Sequence, residues 1–90
     1  MVNGQKLKSV KSLLNNKKFH EALAAVSECI ENGNHSNEAY ILKAKALEGL
    51  GRIGEAAGFF WRKINWNNPS NEDFEMVRLT EKAYMANNWK

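Results

Sequence analysis

The residues of this chain that could act as metal ligands or nucleophiles are two histidines and one cysteine. His20 and His35 are fifteen residues apart and have no cysteine or carboxylate near them at the spacing of zinc ligands. Cys29 has no assignable histidine and Asn or Asp partner that would make it a nucleophile. We therefore predict no metal, no cofactor and no enzyme, with both histidines on the surface and Cys29 packed as a small apolar residue.

Clustered glycines and acids are the next candidates for chemistry. Gly49, Gly51 and Gly54 lie close together, but a phosphate-binding loop would need a strand before them and a Lys-Ser or Lys-Thr pair after them. Ser70 and Asp73 instead have the spacing of a capping box, in which a hydroxyl and an acid three residues later satisfy the first backbone donors of a helix. These groups predict turns and helix ends.

Positive charge is concentrated at the start of the chain. The net charge is +3, and the first twenty residues hold five lysines and no acid. Such a stretch can meet nucleic acid, an acidic peptide or a membrane surface, or can be a solvated helix face. We favour the solvated face and disfavour nucleic-acid binding, because aromatic residues do not alternate with these lysines. They are Lys6, Lys8, Lys11, Lys17 and Lys18.

The apolar segments of the chain are short. No run approaches the roughly 18 apolar residues of a membrane-spanning helix, and the first ten residues lack the apolar segment of a secretory signal. A single cysteine excludes an internal disulfide and fits a reducing cytosol. We expect a cytoplasmic protein with no membrane span.

Apolar residues at helical spacing predict an all-α fold of five helices, without the alternating pattern of strands. Asparagine pairs and glycines separate the helices, and connections this short place sequential helices antiparallel. The predicted helices run from about Asn3 to Asn15, from Phe19 to Ile30, from Ser36 or Asn37 to Leu50, from Ile53 to Ile64, and from Asn71 to about Ala86.

The chain repeats itself with a period of 34 residues. When the sequence is shifted by that amount, apolar and small positions superpose, and a Glu-Ala pair recurs after the turn. Val10 falls on Ala44, Leu13 on Leu47, Phe19 on Ile53, Glu21 on Glu55, Ala22 on Ala56, Val26 on Phe60 and Ile30 on Ile64.

A 34-residue helix–turn–helix with this pattern resembles the tetratricopeptide repeat. The second unit carries the family's aromatic, small, large apolar, turn and closing positions at Tyr40, Ala44, Leu47, Gly51, Ala56, Phe60 and Pro69. Pro69 comes one residue late, Lys43 stands where a Leu is common, and Lys63 replaces a small residue. The first unit lacks the aromatic, the glycine and the proline.

The resemblance implies one domain over residues 1–90, built as an α-α superhelix. Its parts would be a first repeat at about 3–36, a second at about 37–70 and a capping helix at about 71–86. The last helix could equally be the first half of a third repeat in a longer parent chain.

Proteins of this family bind other proteins, so the resemblance implies a non-catalytic adaptor, scaffold or small chaperone that holds a peptide or helix of its partner. The partner would lie in a concave surface lined by the first helix of each pair and would carry apolar anchors with acidic flanks. Some members of this family clamp the C-terminal tails of chaperones. The positions of that clamp hold other residues in this chain, namely Leu7, Lys11 and Leu42, so we disfavour that ligand. The predicted surface comprises Leu7, Lys11, Leu14, Asn15, Glu38, Ile41, Lys45, Glu48, Glu75, Leu79 and Lys82.

Three tryptophans, Trp61, Trp66 and Trp89, leave a second hypothesis open. Trp61 lies off the predicted core stripe, so it either packs under the last helix or anchors an interface, where tryptophan is enriched. The alternative function is therefore a self-assembling unit, a homo-oligomer stacked through Trp61, Trp66 and the last helix. A mixed, solvated face is the plainer interpretation of the concave stripe.

Overall fold

The computed structural model describes the backbone of residues 2–87 and the side chains of residues 7–87. Within these ranges the fold is all-α, with four α-helices, one 3-10 helix and no strand, which confirms the predicted class. Trp89 and the side chain of Lys6 lie outside the described residues. The elements are α1 (Val2–Asn15), α2 (Phe19–Glu31), α3 (Asn37–Gly49), the 3-10 helix (Ile53–Ala56) and α4 (Asn71–Asn87).

The first three helices end with the same closure. The second residue after each helix adopts a left-handed backbone, at Lys17 with φ 60°, Gly33 with φ 106° and Gly51 with φ 73°. The next N–H then reaches back to a carbonyl inside the helix, as in a Schellman motif. The prediction that glycines separate the helices is therefore confirmed at Gly33 and Gly51. These bonds run from Lys18 N to Leu13 O (2.8 Å), from Asn34 N to Cys29 O (3.0 Å) and from Arg52 N to Leu47 O (2.7 Å).

Helix α3 lies at the centre of the fold and is buried on two sides. One side joins α1 and α2 in a first core cluster, and the other joins the 3-10 helix, the segment after it and α4 in a second. Leu23 of α2 contacts both clusters. The first cluster comprises Leu7, Val10, Ala22, Val26, Cys29, Ala39, Leu42 and Ala46, and the second Ile41, Ala44, Leu47, Ala56, Phe60, Ile64, Met76, Leu79 and Ala83.

The predicted fourth helix is wrong, because residues 53–64 form a short 3-10 helix followed by turns. Gly54 and Gly58 each cost about 1 kcal/mol relative to alanine inside an α-helix. The Gly54 carbonyl accepts from Ala57 N, three residues on, at 3.2 Å and from the Asn87 side-chain amide at 3.0 Å. These two bonds replace the bond to the fourth residue on that an α-helix would have. Phe60 and Ile64 nevertheless remain buried, as the apolar spacing predicted.

A capping box begins α4, as the Ser70 and Asp73 spacing predicted. The Ser70 hydroxyl accepts from Asp73 N at 3.3 Å, and the Asp73 carboxylate accepts from Ser70 N at 2.8 Å and from the Ser70 hydroxyl at 3.0 Å. The same carboxylate also accepts from Asn65 N at 3.2 Å. Asp73 therefore ties the segment before α4 to the start of that helix. The backbone donors of Ser70, first, and Asn65 hold the pKa of Asp73 below its ordinary value of 3.8.

This lowered pKa predicts a pH dependence of stability. A carboxylate whose pKa is lower in the folded state stabilises the fold fully above its unfolded value, and that contribution is lost as the pH falls through the folded value. We expect Asp73→Asn to unfold below the wild-type temperature at about pH 7, and the gap to close as the pH falls below 3.8. Thermal unfolding between about pH 7 and about pH 2 measures this.

The control for that experiment is Glu81→Gln, which removes one negative charge from an exposed position of the same helix. A gap between wild type and Asp73→Asn that stays constant across the titration would contradict the stabilising role of the Asp73 charge.

Candidate functional site

The three helices predicted to line one surface lie side by side. Helix α3 contacts α1 on one side and α4 on the other. This arrangement brings the charged residues of the predicted stripe together across the helix boundaries, and each lysine meets a carboxylate of a neighbouring helix. The pairs are Lys11–Glu38 at 2.5 Å, Lys45–Glu75 at 3.8 Å and Lys82–Glu48 at 2.6 Å between Nζ and Oε2.

These ion pairs are partly open to water and so are weak. Pairs of this kind contribute about 0–1 kcal/mol each, because water and salt screen the attraction. Glu75 also accepts from the Arg78 guanidinium at 2.7 Å, and this bond, with the nearby charge of Lys45, holds the pKa of Glu75 below its usual value. The charged surface is thus internally paired through weak ion pairs.

The apolar anchors predicted for this surface belong to the core. Leu7 is 5% exposed, Ile41 8% and Leu79 0%. The prediction assigned only one side of each helix to the core, whereas α3 is buried on two sides. These three side chains therefore present no surface to a partner in this structure. Whether the remaining stripe residues bind a partner stays a prediction.

A shallow cavity opens between α1 and α3 in this surface. It has a volume of about 250 Å³ and lies among two lysines, two leucines and one asparagine. Four of its lining residues were predicted to face a partner, and the fifth, Leu42, was not. We call it the α1/α3 cavity; it is lined by Lys11, Leu14, Asn15, Leu42 and Lys45.

Trp61 packs beside α4, as one of its two predicted environments required, and it is half-exposed. Its predicted role as an interface anchor stays a prediction. Its indole N–H donates to the Tyr84 hydroxyl, and its ring lies 6.1 Å from that of Tyr84 and 5.8 Å from that of Trp66, centre to centre. The exposed fraction is 51% for Trp61 and 56% for Trp66. The result is a fixed aromatic surface that is open to solvent.

A larger cavity, of about 730 Å³, lies between the start of α3 and residues 58–63. Lys63 holds its two walls together, since its Nζ donates to His35 O at 2.6 Å and lies 4.6 Å from the centre of the Tyr40 ring. Sequence reasoning missed this site, although the run of aromatic and basic residues from Phe59 to Lys63 was a visible signal. We call it the aromatic cavity; its lining is His35, Tyr40, Gly58, Phe59, Trp61, Arg62 and Lys63.

The histidines and the cysteine lie apart from one another. Cys29 is buried in the first core cluster, His20 is exposed at the start of α2, and His35 is exposed with its Nδ1 3.1 Å from the Tyr40 hydroxyl. Across residues 7–87, whose side chains the structure describes, no three His, Cys, Asp or Glu side chains come together in a way that could hold a metal ion.

None of the helices in the described part of the chain has the length and hydropathy that crossing a membrane requires. Comparison of the chain with family models, with curated proteins and with solved structures finds no match.

Proposed function

We propose that this chain is a non-catalytic protein-interaction module built from two tetratricopeptide-like helix pairs and a closing helix. The observation that supports it most is a repeat in the core itself. Five residues of the first cluster have a counterpart exactly one period of 34 residues later in the second cluster. These pairs are Leu7 and Ile41, Val10 and Ala44, Ala22 and Ala56, Val26 and Phe60, and Leu42 and Met76.

The α1/α3 cavity is the surface that best suits a partner of the predicted kind. Leu14, which is only partly buried, supplies apolar contact beside the buried Leu42, and Lys11 and Lys45 supply positive charge at the rim. A carboxylate of the partner could replace Glu38 or Glu75 at little cost, because exposed ion pairs are weak. The proposed ligand is therefore a peptide or helix that has an apolar side chain flanked by acids.

Affinity capture from a cell extract, followed by mass spectrometry, tests this proposal. We expect Lys11→Glu/Lys45→Glu to capture at least about tenfold less of the partner than wild type, because two reversed charges oppose an acidic ligand. The matched control is Lys8→Glu/Lys18→Glu, which changes the net charge equally at exposed positions outside the cavity. Circular dichroism first establishes that both variants keep their helices. Equal loss in the two variants, or loss in neither, would contradict the assignment of this surface.

A second candidate function, self-assembly, is favoured by a different observation. Among the described side chains, all of the large apolar ones that are exposed lie on α4 or on the segment beside it. Extended apolar patches on a soluble domain mark interaction sites. They are Trp61, Trp66, Phe74, Tyr84 and Met85.

Sedimentation velocity separates the two candidates. Self-assembly requires the sedimenting mass to rise with concentration. If the mass stays monomeric up to about 1 mM, the free energy of association is weaker than about 4 kcal/mol, and self-assembly is excluded.

A further inference from the structure

The aromatic cavity differs from the helical surface in the balance of its charges. Arg62 and Lys63 line it, and no carboxylate does. Lys43 lies nearby, with its Nζ 5.2 Å from the centre of the Phe59 ring, and Glu55 is the carboxylate that feels its charge. Within the described part of the chain, Arg62 forms no hydrogen bond or ion pair, whereas each stripe lysine has a carboxylate partner. The cavity therefore favours a negatively charged ligand.

Trp61 gives the same cavity a pre-formed flat surface. The Tyr84 hydroxyl holds the indole N–H, and the Trp66 ring lies against it, while about half of the side chain stays open at 51% exposure. A ring that is already held in place loses little freedom when a ligand stacks on it. Stacking on an aromatic side chain is the general way in which proteins hold unpaired nucleobases.

We propose that the aromatic cavity binds a nucleoside phosphate, with the base stacked on Trp61 and the phosphate held by Arg62 and Lys63. The planar guanidinium of an arginine suits a phosphate, and an arginine without a protein partner is available for one. Lys63 has three donors, of which His35 O takes one. The volume of about 730 Å³ is within the range of cavities that hold small ligands.

This activity is separate from the proposed protein interaction, and it differs from nucleic-acid binding by the basic first helix. That helix lacks interleaved aromatic residues, whereas here Trp61 precedes Arg62 and Lys63 directly. The same chemistry is offered by a free nucleotide and by single-stranded RNA, so the test has an arm for each source.

Calorimetric titration of the full chain with AMP tests the proposal, with adenosine, inorganic phosphate and O-phosphotyrosine as comparisons. We expect AMP to bind more tightly than adenosine or phosphate, since only AMP engages both the ring surface and the cations. Six-nucleotide oligoadenylate distinguishes the sources: tighter binding than AMP indicates single-stranded RNA, and equal or weaker binding indicates a free nucleotide.

No AMP binding at about 5 mM overturns the proposal. So does phosphate that binds as tightly as AMP, because the base would then contribute nothing. O-phosphotyrosine that binds at least as tightly as AMP also overturns it, because the ligand would then be a phosphorylated peptide.

Variants locate the binding site. Trp61→Ala and Arg62→Ala should each raise the AMP dissociation constant at least about fivefold, the loss expected when stacking or a charged hydrogen bond is removed. Arg78→Ala, which removes an exposed arginine from α4, is the matched control and should leave the constant unchanged. If circular dichroism shows that Trp61→Ala does not fold, Arg62→Ala carries the test alone. Equal AMP affinity in wild type and Arg62→Ala would overturn the assignment to this cavity.

Discussion

Replacing Phe60 with alanine is expected to lower the free energy of unfolding by about 3–5 kcal/mol. Phe60 is 0% exposed and is the largest fully buried side chain among those described. Phe60 packs among residues of α3 and α4, which are far apart in the sequence. Its removal therefore leaves a cavity between these two helices. Because a domain's entire stability is about 5–15 kcal/mol, this single change removes a large part of it.

Urea unfolding followed by circular dichroism measures the Phe60→Ala effect. The matched control is Phe74→Ala, which makes the same chemical change at a site that is 59% exposed and should cost less than about 1 kcal/mol. Similar losses in the two variants would contradict the position of Phe60 in the core. The result bears on residues 57–63 in particular, because it tests whether a segment that lies outside the helices supplies the centre of the second cluster.

Replacing Gly49 with alanine is expected to destabilise the fold, although alanine is the better helix former. A Cβ at this position would come within 2.4 Å of Phe19 Cδ1 and Cε1 and within 2.5 Å of Cγ. These atoms span the ring down to its attachment, so the side chain cannot avoid the methyl group by bending at its tip. Overpacking of this kind costs about 1–3 kcal/mol, against a gain of up to about 1 kcal/mol from helix propensity. The expected net loss is therefore up to about 3 kcal/mol, or up to about 2 kcal/mol if the full propensity gain is realised.

The control for Gly49→Ala is Gly58→Ala. A Cβ at Gly58 would meet nothing within 4 Å, and its backbone is not left-handed. We expect Gly58→Ala to be neutral or slightly stabilising, because alanine restricts the unfolded chain more than glycine does. Thermal unfolding of the two variants beside wild type gives both values. A stabilised Gly49→Ala would show that Phe19 moves aside freely and that the close approach of α2 and α3 is not tight.

Local sequence signals predicted α1, α2, α3 and α4 to within a residue or two at each described end. The reason is that their hydrogen bonds, caps and apolar spacing all lie within a few residues along the chain. Gly33 and Gly51 end helices because a left-handed residue costs glycine least, and Ser70 with Asp73 begins α4 through bonds three residues apart. The one failed element, residues 53–64, contains Gly54 and Gly58, and its Gly54 carbonyl accepts a bond from Asn87, which is 33 residues away.

The candidate sites were likewise predictable only where local spacing along the chain determines them. Spacing along the sequence placed Lys11, Lys45 and Lys82 on one surface, and they do lie on three adjacent helices. It could not show that Leu7, Ile41 and Leu79 are buried, since the number of sides on which a helix is covered depends on its neighbours in space.

What the sequence determined by itself is an all-α chain, the ends of its four α-helices and part of its core, because these follow from local geometry and the 3.6-residue turn. What only the tertiary structure decided is the burial of α3 on two sides, the pairing of the surface charges and the aromatic cavity. Each of these depends on contacts between residues far apart in the chain. Lys63 reaches His35 across the cavity and Trp61 reaches Tyr84 beside it, and no pattern along the sequence encodes those distances.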